Sequence, residues 1–423
     1  MPIAAFVVLA LIVLGVAVAV AFGMGALIFF MLLGGNPGQV PSVAFRTLDS
    51  FTFLAIPFFL LAGAIMQSGG VSKRLIEFVG LIAGRFKGGL GATMIGACAL
   101  FGSISGSSVA TVSAIGRIMS GEMAERGYPK KYLASLVAVS GIIGILIPPS
   151  VPIIVYAVAA GVSIADMFLA GAVIGILLTV VLVTFNFVWA RGRDLDDLGA
   201  RLNSTQQRRT ARRIGGAVPA LIMPVIILGG IYSGIFTPTE SGAVACAYGL
   251  FVGLLVYREL KPSGVGGTVL NGLLATAPIL LIIAMGGAFA RAVVVSGVPQ
   301  ALADTIGGWG VPAWVLLIVL NLMLFVVGMF IEENTAIVIL VPLLLPLTAA
   351  YGIDPVQFGI IMVLNLGMGL ATPPFAPNLF VAANATATPF HTMVLPALRL
   401  LVTCVLPVLV VVNVVPALTT FMR

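Results

Sequence analysis

The chain has 423 residues, of which 60% are hydrophobic and 8% charged, with a formal net charge of +7. Soluble globular chains carry about 25% charged residues, so a water-soluble fold of this size is excluded. The positive balance does not indicate nucleic acid: seven arginines sit in the single segment 191–213, and basic loops beside membrane spans mark the cytoplasmic side.

Charge-free runs at 1–45, 132–165, 214–239, 262–290, 305–331, 355–398 and 400–422 meet or exceed the ~20 apolar residues that a crossing helix needs. No basic residue precedes the first run, which outlasts a secretory signal, so it reads as membrane span. Residues 3–34 predict two short helices, in from the periplasm and back. A third helix, 52–67, ends near Lys73 and Arg74. Residues 86–120 predict a re-entrant hairpin entered from the cytoplasm, with its tip at 103–108. A broken helix at 132–160 and a helix at 165–190 lead to the basic cytoplasmic linker 191–213. The order then repeats: helices 215–233, 240–257 and 270–292, a periplasmic hairpin at 312–346, a broken helix at 355–381 and a last helix at 392–418. The expectation is an all-α polytopic membrane protein of ten full spans and two hairpins.

Residues 1–190 and 214–423 read as two copies of one unit. Gly144, Pro148, Pro149 and Pro152 recur as Gly369, Pro373, Pro374 and Pro377, an offset of 225 residues (148 to 373). Gly127 and Gly352 each precede the Pro-Pro pair by 21 residues. The register slips slightly: Gly141 falls opposite Leu366, one short of Gly367, and 102–108 lies nearly opposite 328–334. The loop 117–131 holds Arg117, Arg126, Lys130 and Lys131, whereas 342–356 holds no Lys or Arg. Basic loops face the cytoplasm, so the copies are expected to be inverted, a hallmark of secondary transporters.

Non-helical backbone at membrane depth must be buried in protein or line a wet cavity. Four such places are expected: the two hairpin tips and the two Pro-Pro breaks. The first tip, Gly102-Ser103-Ile104-Ser105-Gly106-Ser107-Ser108, supplies four hydroxyls in six residues and both a helix C-terminus and a helix N-terminus. Free carbonyls suit a hard cation such as Na⁺, and free amides suit a carboxylate; the bland alternative is close helix packing by small residues. Pro148-Pro149 and Pro373-Pro374 free the carbonyls of the preceding turn. Gly141, Gly144, Gly367 and Gly369 allow the tips to approach, and Thr372 adds a hydroxyl. The second tip carries Glu332, Glu333, Asn334 and Thr335. Its carboxylates are either functional, since charge in a bilayer is expensive, or helix caps. Arg291 pairs with substrate, pairs with Glu332 or Glu333, or snorkels to the interface. Thr237-Pro238-Thr239-Glu240 has a full structural account as a capping box. Cys98, Cys246 and Cys404 are isolated, so they form neither a disulfide framework nor a zinc site. With a single histidine, His391, and no nucleophile–base pair or Walker motif, the chain is not expected to be an enzyme.

At these motifs the chain resembles the large membrane subunit of tripartite ATP-independent periplasmic (TRAP) transporters. The features that carry the resemblance are 102–108, 144–152, the Phe236–Glu240 turn, 332–335 and 369–377, and it covers essentially the whole chain. It implies a fold like that of divalent-anion/sodium symporters, with an elevator-type transport domain that carries both hairpins. It implies Na⁺ as coupling ion with no other cofactor, a small organic acid as substrate, and residence in the bacterial inner membrane. Its partners would be a small membrane subunit on a separate chain and a periplasmic substrate-binding protein. By the same resemblance, one sodium site would use Ser103, Ser105 and the break from Gly141 through Gly144 to Pro148. The other would use Gly328, Asn334, Thr335 and the break at Gly367, Gly369 and Thr372. Substrate would lie between the tips, near Ser107, Ser108, Pro149, Arg291, Glu332, Glu333 and Pro374. The rival readings are a stand-alone Na⁺/anion symporter, a channel and a non-transporting scaffold.

Overall fold

A computed structural model describes residues 2–32, 34–83, 87–193, 195 and 204–421. Among them the regular structure is helical, with no strand. Seven helices are long and apolar enough to cross a membrane, or eight if the bent pair Lys130–Leu146 and Val151–Ala160 is one span. Ten spans were expected, and the shortfall lies in the short or broken elements. The N-terminal helices Pro2–Val13 and Val18–Leu32 have 12 and 15 residues. At 1.5 Å per residue they reach about 18 and 22 Å, less than the ~30 Å hydrocarbon core. Pro355–Leu370 and Pro377–Thr386 are likewise short pieces on either side of a break.

The expected punctuation is present. The first hairpin runs Gly89–Ser105 and Ser108–Glu125, and the second Ala313–Gly328 and Glu333–Ala350. Each is followed by a broken helix, and both Pro148–Pro149 and Pro373–Pro374 are cis. Long helices then follow, Ile164–Arg191 after the first break and Phe390–Val414 after the second. Of the linker 191–213, residues 194 and 196–203 lie outside the described residues. The next helix begins at Ser204, earlier than the expected 215.

Three helices were not anticipated: Gln39–Leu48, Val71–Ala83 and Val298–Gly308. Each mixes polar and apolar residues over at most 13 positions, so no long apolar run announces it. The helix expected at 270–292 is longer, Pro262–Val295, with 34 residues. It receives the second N-terminal helix, Val18–Leu32, through Phe289, whose ring lies 5.8 Å from those of both Phe22 and Phe29.

Helices meet where side chains are small, as expected where lipid supplies no hydrophobic drive between them. Pro238–Phe251 lays Gly242 against Phe58 and Gly249 against Ile65 and Met66 of Ala55–Ser68. The Thr239 hydroxyl donates to the Phe51 carbonyl at 2.8 Å across the same contact. The Thr237–Glu240 capping box forms as the sequence dictates.

Candidate functional site

The first hairpin tip rests on the first break, backbone against backbone. A Cβ on Gly102 would overlap Gly144, and one on Gly144 would lie 2.8 Å from the Thr111 hydroxyl. Gly106 closes the tip at φ 60°; a Cβ there would stand 2.7 Å from the Pro149 carbonyl oxygen. The Val151 amide donates to the Gly106 carbonyl at 3.3 Å, which ties tip to break. Ser107 is the N-cap of Ser108–Glu125, its hydroxyl accepting from the Ala110 amide at 3.4 Å. Ser150 does the same for Val151–Ala160 and also donates to the Ile145 carbonyl at 2.6 Å.

The second tip repeats the arrangement. Gly369 would overlap the backbone of Gly328 if it carried a Cβ, and Gly328 lies against Leu366. The Phe375 amide donates to the Met329 carbonyl at 3.1 Å. Glu332 caps Glu333–Ala350: its carboxylate accepts from the Thr335 amide at 3.0 Å and from the Asn334 side-chain amide.

The tips differ in how their polar atoms are satisfied. In the first, the Ser103 hydroxyl donates to the Leu100 carbonyl at 2.7 Å, and Ser105 shares a 3.1 Å hydrogen bond with Thr111. The orphaned buried oxygens nearest this tip lie elsewhere, on Ser140 and, contributed by the second half, on Asn378 Oδ1; Ser72 Oγ is also unpartnered, on the helix Val71–Ala83. Asn378 Nδ2 donates to Ser108 Oγ at 2.7 Å and to the Ala138 carbonyl at 3.0 Å. Ser108 is therefore sealed between Gly141 and Asn378, 1% exposed. In the second tip the expected residues themselves hold the orphans: Asn334 Oδ1, Thr335 Oγ1 and Glu333 Oε2 have no partner. A hard cation takes oxygen ligands, and a buried oxygen without a hydrogen bond is costly. These residues therefore fit a bare Na⁺. Thr372 spends its hydroxyl on the Met368 carbonyl at 2.8 Å.

Several expected residues are not gathered at a tip. Gly367 faces Ile145 and Ile142, with a Cβ placed 2.8 and 3.1 Å away, so it serves the crossing of the two broken helices. Arg291 is exposed on Pro262–Val295. The ion pairs among the described residues are Arg74–Glu259 and Arg126–Glu122, so Arg291 pairs with neither Glu332 nor Glu333. Pro149 is buried, whereas Pro374 and its neighbour Phe375 are exposed. Thr111, Ser140 and Asn378 were missed. Thr111 bonds the Ser107 carbonyl at 2.8 Å one turn back, a spacing legible in sequence, but nothing local marks Asn378.

Each hairpin tip is thus seated on a broken helix, with unsatisfied buried oxygens close by, Asn378 of the second half supplying one at the first tip. Residues 5–418 match the family model described as tripartite ATP-independent periplasmic transporter, DctM component. The chain belongs to this family. It is a transporter permease, not an enzyme, and a multi-pass protein of the inner membrane. The C4-dicarboxylate TRAP transporter large permease protein of Pseudomonas aeruginosa is 41% identical over 91% of this chain and 90% of its own length. The corresponding protein of Rhodobacter capsulatus is 36% identical over 97% and 96%. The isethionate TRAP transporter permease protein DctMQ of Oleidesulfovibrio alaskensis is 39% identical over 97% of this chain, which spans 64% of that longer protein. Among solved structures, the Alcanivorax borkumensis YdaH transporter superposes with a TM-score of 0.62 at 15% identity, over 89% of this chain and 87% of that one. MtrF of Neisseria gonorrhoeae also gives 0.62, at 13% identity over 89% and 84%. At these identities the two show a shared fold.

Proposed function

We propose that this DctM-family permease takes up a small organic acid anion across the inner membrane, driven by Na⁺. The observation that carries the reading is the pairing of each tip with a break beside orphaned buried oxygens: Asn334 and Thr335 at one, Ser140 and Asn378 at the other. Sodium would bind at these two places, with Ser103, Ser105, Gly141, Gly144 and Pro148 framing the first and Gly328, Gly369 and Thr372 the second. Substrate would lie toward the accessible side of the tips, near Ser107, Glu332 and Pro374. Relatives named for C4-dicarboxylates, isethionate and sialic acid support an organic acid as cargo. The two halves act as inverted repeats, and the hairpins and broken helices move together as an elevator. A periplasmic binding protein delivers the substrate and a separate small membrane subunit completes the assembly; the longer DctMQ relative is consistent with such a partner. One net charge moved through 100 mV is worth about 2.3 kcal/mol, roughly a 50-fold accumulation, before the sodium gradient adds its share.

The test is uptake of radiolabelled organic acids into proteoliposomes with an imposed Na⁺ gradient, with and without each partner. Uptake that needs sodium and both partners is the expected result. Uptake by this chain alone would make it an independent symporter, and uptake indifferent to sodium would remove the ion sites.

A further inference from the structure

A groove lies away from the hairpin tips. It is an open groove offering about 650 Å³ between Val71–Ala83, Gly89–Ser105 and Ile164–Arg191, a volume in the range of small-molecule sites. Val79, Ile82, Val183 and Phe187 form its wall, and its two charged lining residues are Lys87 and Arg191. These two sit at the same end. Arg191 is the last residue of its helix and Lys87 stands just before the next. The ends are fastened together, since Asn186 Nδ2 donates to the Gly88 carbonyl at 2.8 Å. A Cβ on Gly88 would lie 2.7 Å from that of Ala190. Both cations are exposed, and neither is in an ion pair with another of the described residues. Neighbouring Arg193, by contrast, is held on Trp189, donating to its carbonyl at 2.6 Å and stacking 4.0 Å from its ring.

We infer that this groove binds an anionic glycerophospholipid, its phosphate between Lys87 and Arg191 and an acyl chain along Val79, Ile82, Val183 and Phe187. The chemistry is that of an amphiphile: an apolar slot in a membrane protein whose charged lining, among the described residues, is two cations at one end without an ion-pair partner. A transmembrane helix of a partner would bring no anion to that end unless it carried an acidic residue at that depth. Basic pockets between helices on the cytoplasmic side are where anionic headgroups bind, and the basic linker beginning at Arg191 puts this end on that side. Each Lys or Arg near an anionic headgroup contributes about 1 kcal/mol, so two favour an anionic over a zwitterionic lipid by roughly 30-fold.

Native mass spectrometry of the delipidated full chain in detergent reads this directly, with phosphatidylglycerol and phosphatidylcholine titrated separately. The wild type should bind phosphatidylglycerol about 30-fold more tightly. Lys87→Gln with Arg191→Gln should bind the two lipids alike, and the charge-keeping pair Lys87→Arg with Arg191→Lys should keep the preference. Val183→Trp should lower occupancy by both lipids, because it fills the wall. A wild type without preference, a Gln variant that retains it, or unchanged occupancy in Val183→Trp overturns the inference. Inorganic phosphate should not compete; competition would assign the cations to a free anion. If the Gln variant binds lipid as before but no longer co-purifies with a small membrane subunit, the groove is a protein interface instead.

Discussion

Asn378 donates its side-chain amide to Ser108 Oγ at 2.7 Å, joining the helix after the second break to the first hairpin across 270 residues of sequence. The same amide reaches the Ala138 carbonyl, and its own Oδ1 is left without a partner. Asn378→Ala should therefore lower stability by about 1–3 kcal/mol, the usual result of orphaning buried polar groups. It should also remove an oxygen from the first of the two proposed ion sites. A ligand that binds only the folded state raises its melting temperature, so sodium should protect the wild type more than Asn378→Ala. An equal sodium-dependent shift in a detergent melting assay would leave Asn378 as a structural strut only.

The contact of Gly369 with Gly328 is backbone against backbone, so no side-chain rotation can admit a methyl group. Gly369→Ala should displace the second tip from its break and abolish uptake. Gly121, in the first hairpin, has nothing within 4 Å of a built Cβ. Gly121→Ala should be neutral or stabilising by up to about 1 kcal/mol through helix propensity. The comparison separates a general intolerance of glycine replacement from a seat for the tip, and uptake per folded molecule is the measure.

How far the fold could be read from sequence depended on the kind of signal each element leaves. The hairpins and breaks were legible because glycine, serine and proline interrupt long apolar runs, and the bounds moved by a few residues: 86–120 became 89–125. The helix Val71–Ala83 was not legible, since it carries Lys73, Arg74 and Glu77 among its apolar positions and is held partly by residues distant in sequence, as in the Arg74–Glu259 ion pair. The site divided in the same way. Tip hydroxyls announce themselves as clusters, but their partners are chosen by tertiary packing. Ser103 and Ser105 proved to be internally bonded, and Asn378 carries the free oxygen. Gly367 and Gly369, two residues apart, face different neighbours because alternate helix positions point in different directions.

At the second tip Asn334 Oδ1 and Thr335 Oγ1 are both buried and unsatisfied. Asn334→Ala and Thr335→Ala should each raise the sodium concentration for half-maximal uptake roughly tenfold, the ratio produced by about 1.4 kcal/mol. Glu332→Gln should act mainly on folding, because its carboxylate is the cap of Glu333–Ala350, and a lost cap costs about 1 kcal/mol. A Glu332→Gln variant with normal melting but altered sodium dependence would move that residue from capping to the ion site.

A polar chain runs through the apolar interior of the second half. Asn365 Nδ2 donates to Asn321 Oδ1 at 2.7 Å, and Asn321 Nδ2 donates to Asn413 Oδ1 at 2.8 Å. Three helices, the first arm of the second hairpin, the broken helix and the last helix, are thereby joined. Hydrogen bonds between membrane helices contribute about 0.6 kcal/mol on average and up to roughly 1.7. Asn321→Leu and Asn365→Leu should each destabilise by that order. Their double mutant should lose less than the sum, because the bond is counted once in each single change. Strict additivity in denaturant melts would mean that the three helices are held by packing alone.

The proposed inversion of the two halves makes an accessible prediction about sidedness. Lys130 and Ala350 are exposed and flank the two matching hairpin-to-break connections, Lys130 opening the first broken helix and Ala350 closing the second hairpin, the first connection basic and the second without Lys or Arg. If the basic loop is cytoplasmic and the copies are inverted, Ala350 faces the periplasm. Ala350 is preferable to the adjoining Gly352, whose φ of 70° would strain a cysteine. The native Cys98, Cys246 and Cys404 are all buried, so an impermeant maleimide should label the unmodified chain little. Lys130→Cys should then react only in inside-out vesicles and Ala350→Cys only in intact cells or right-side-out vesicles. Reaction of both from the same face would mean that the repeats are parallel, and the proposed elevator of opposed hairpins would have to be abandoned with them.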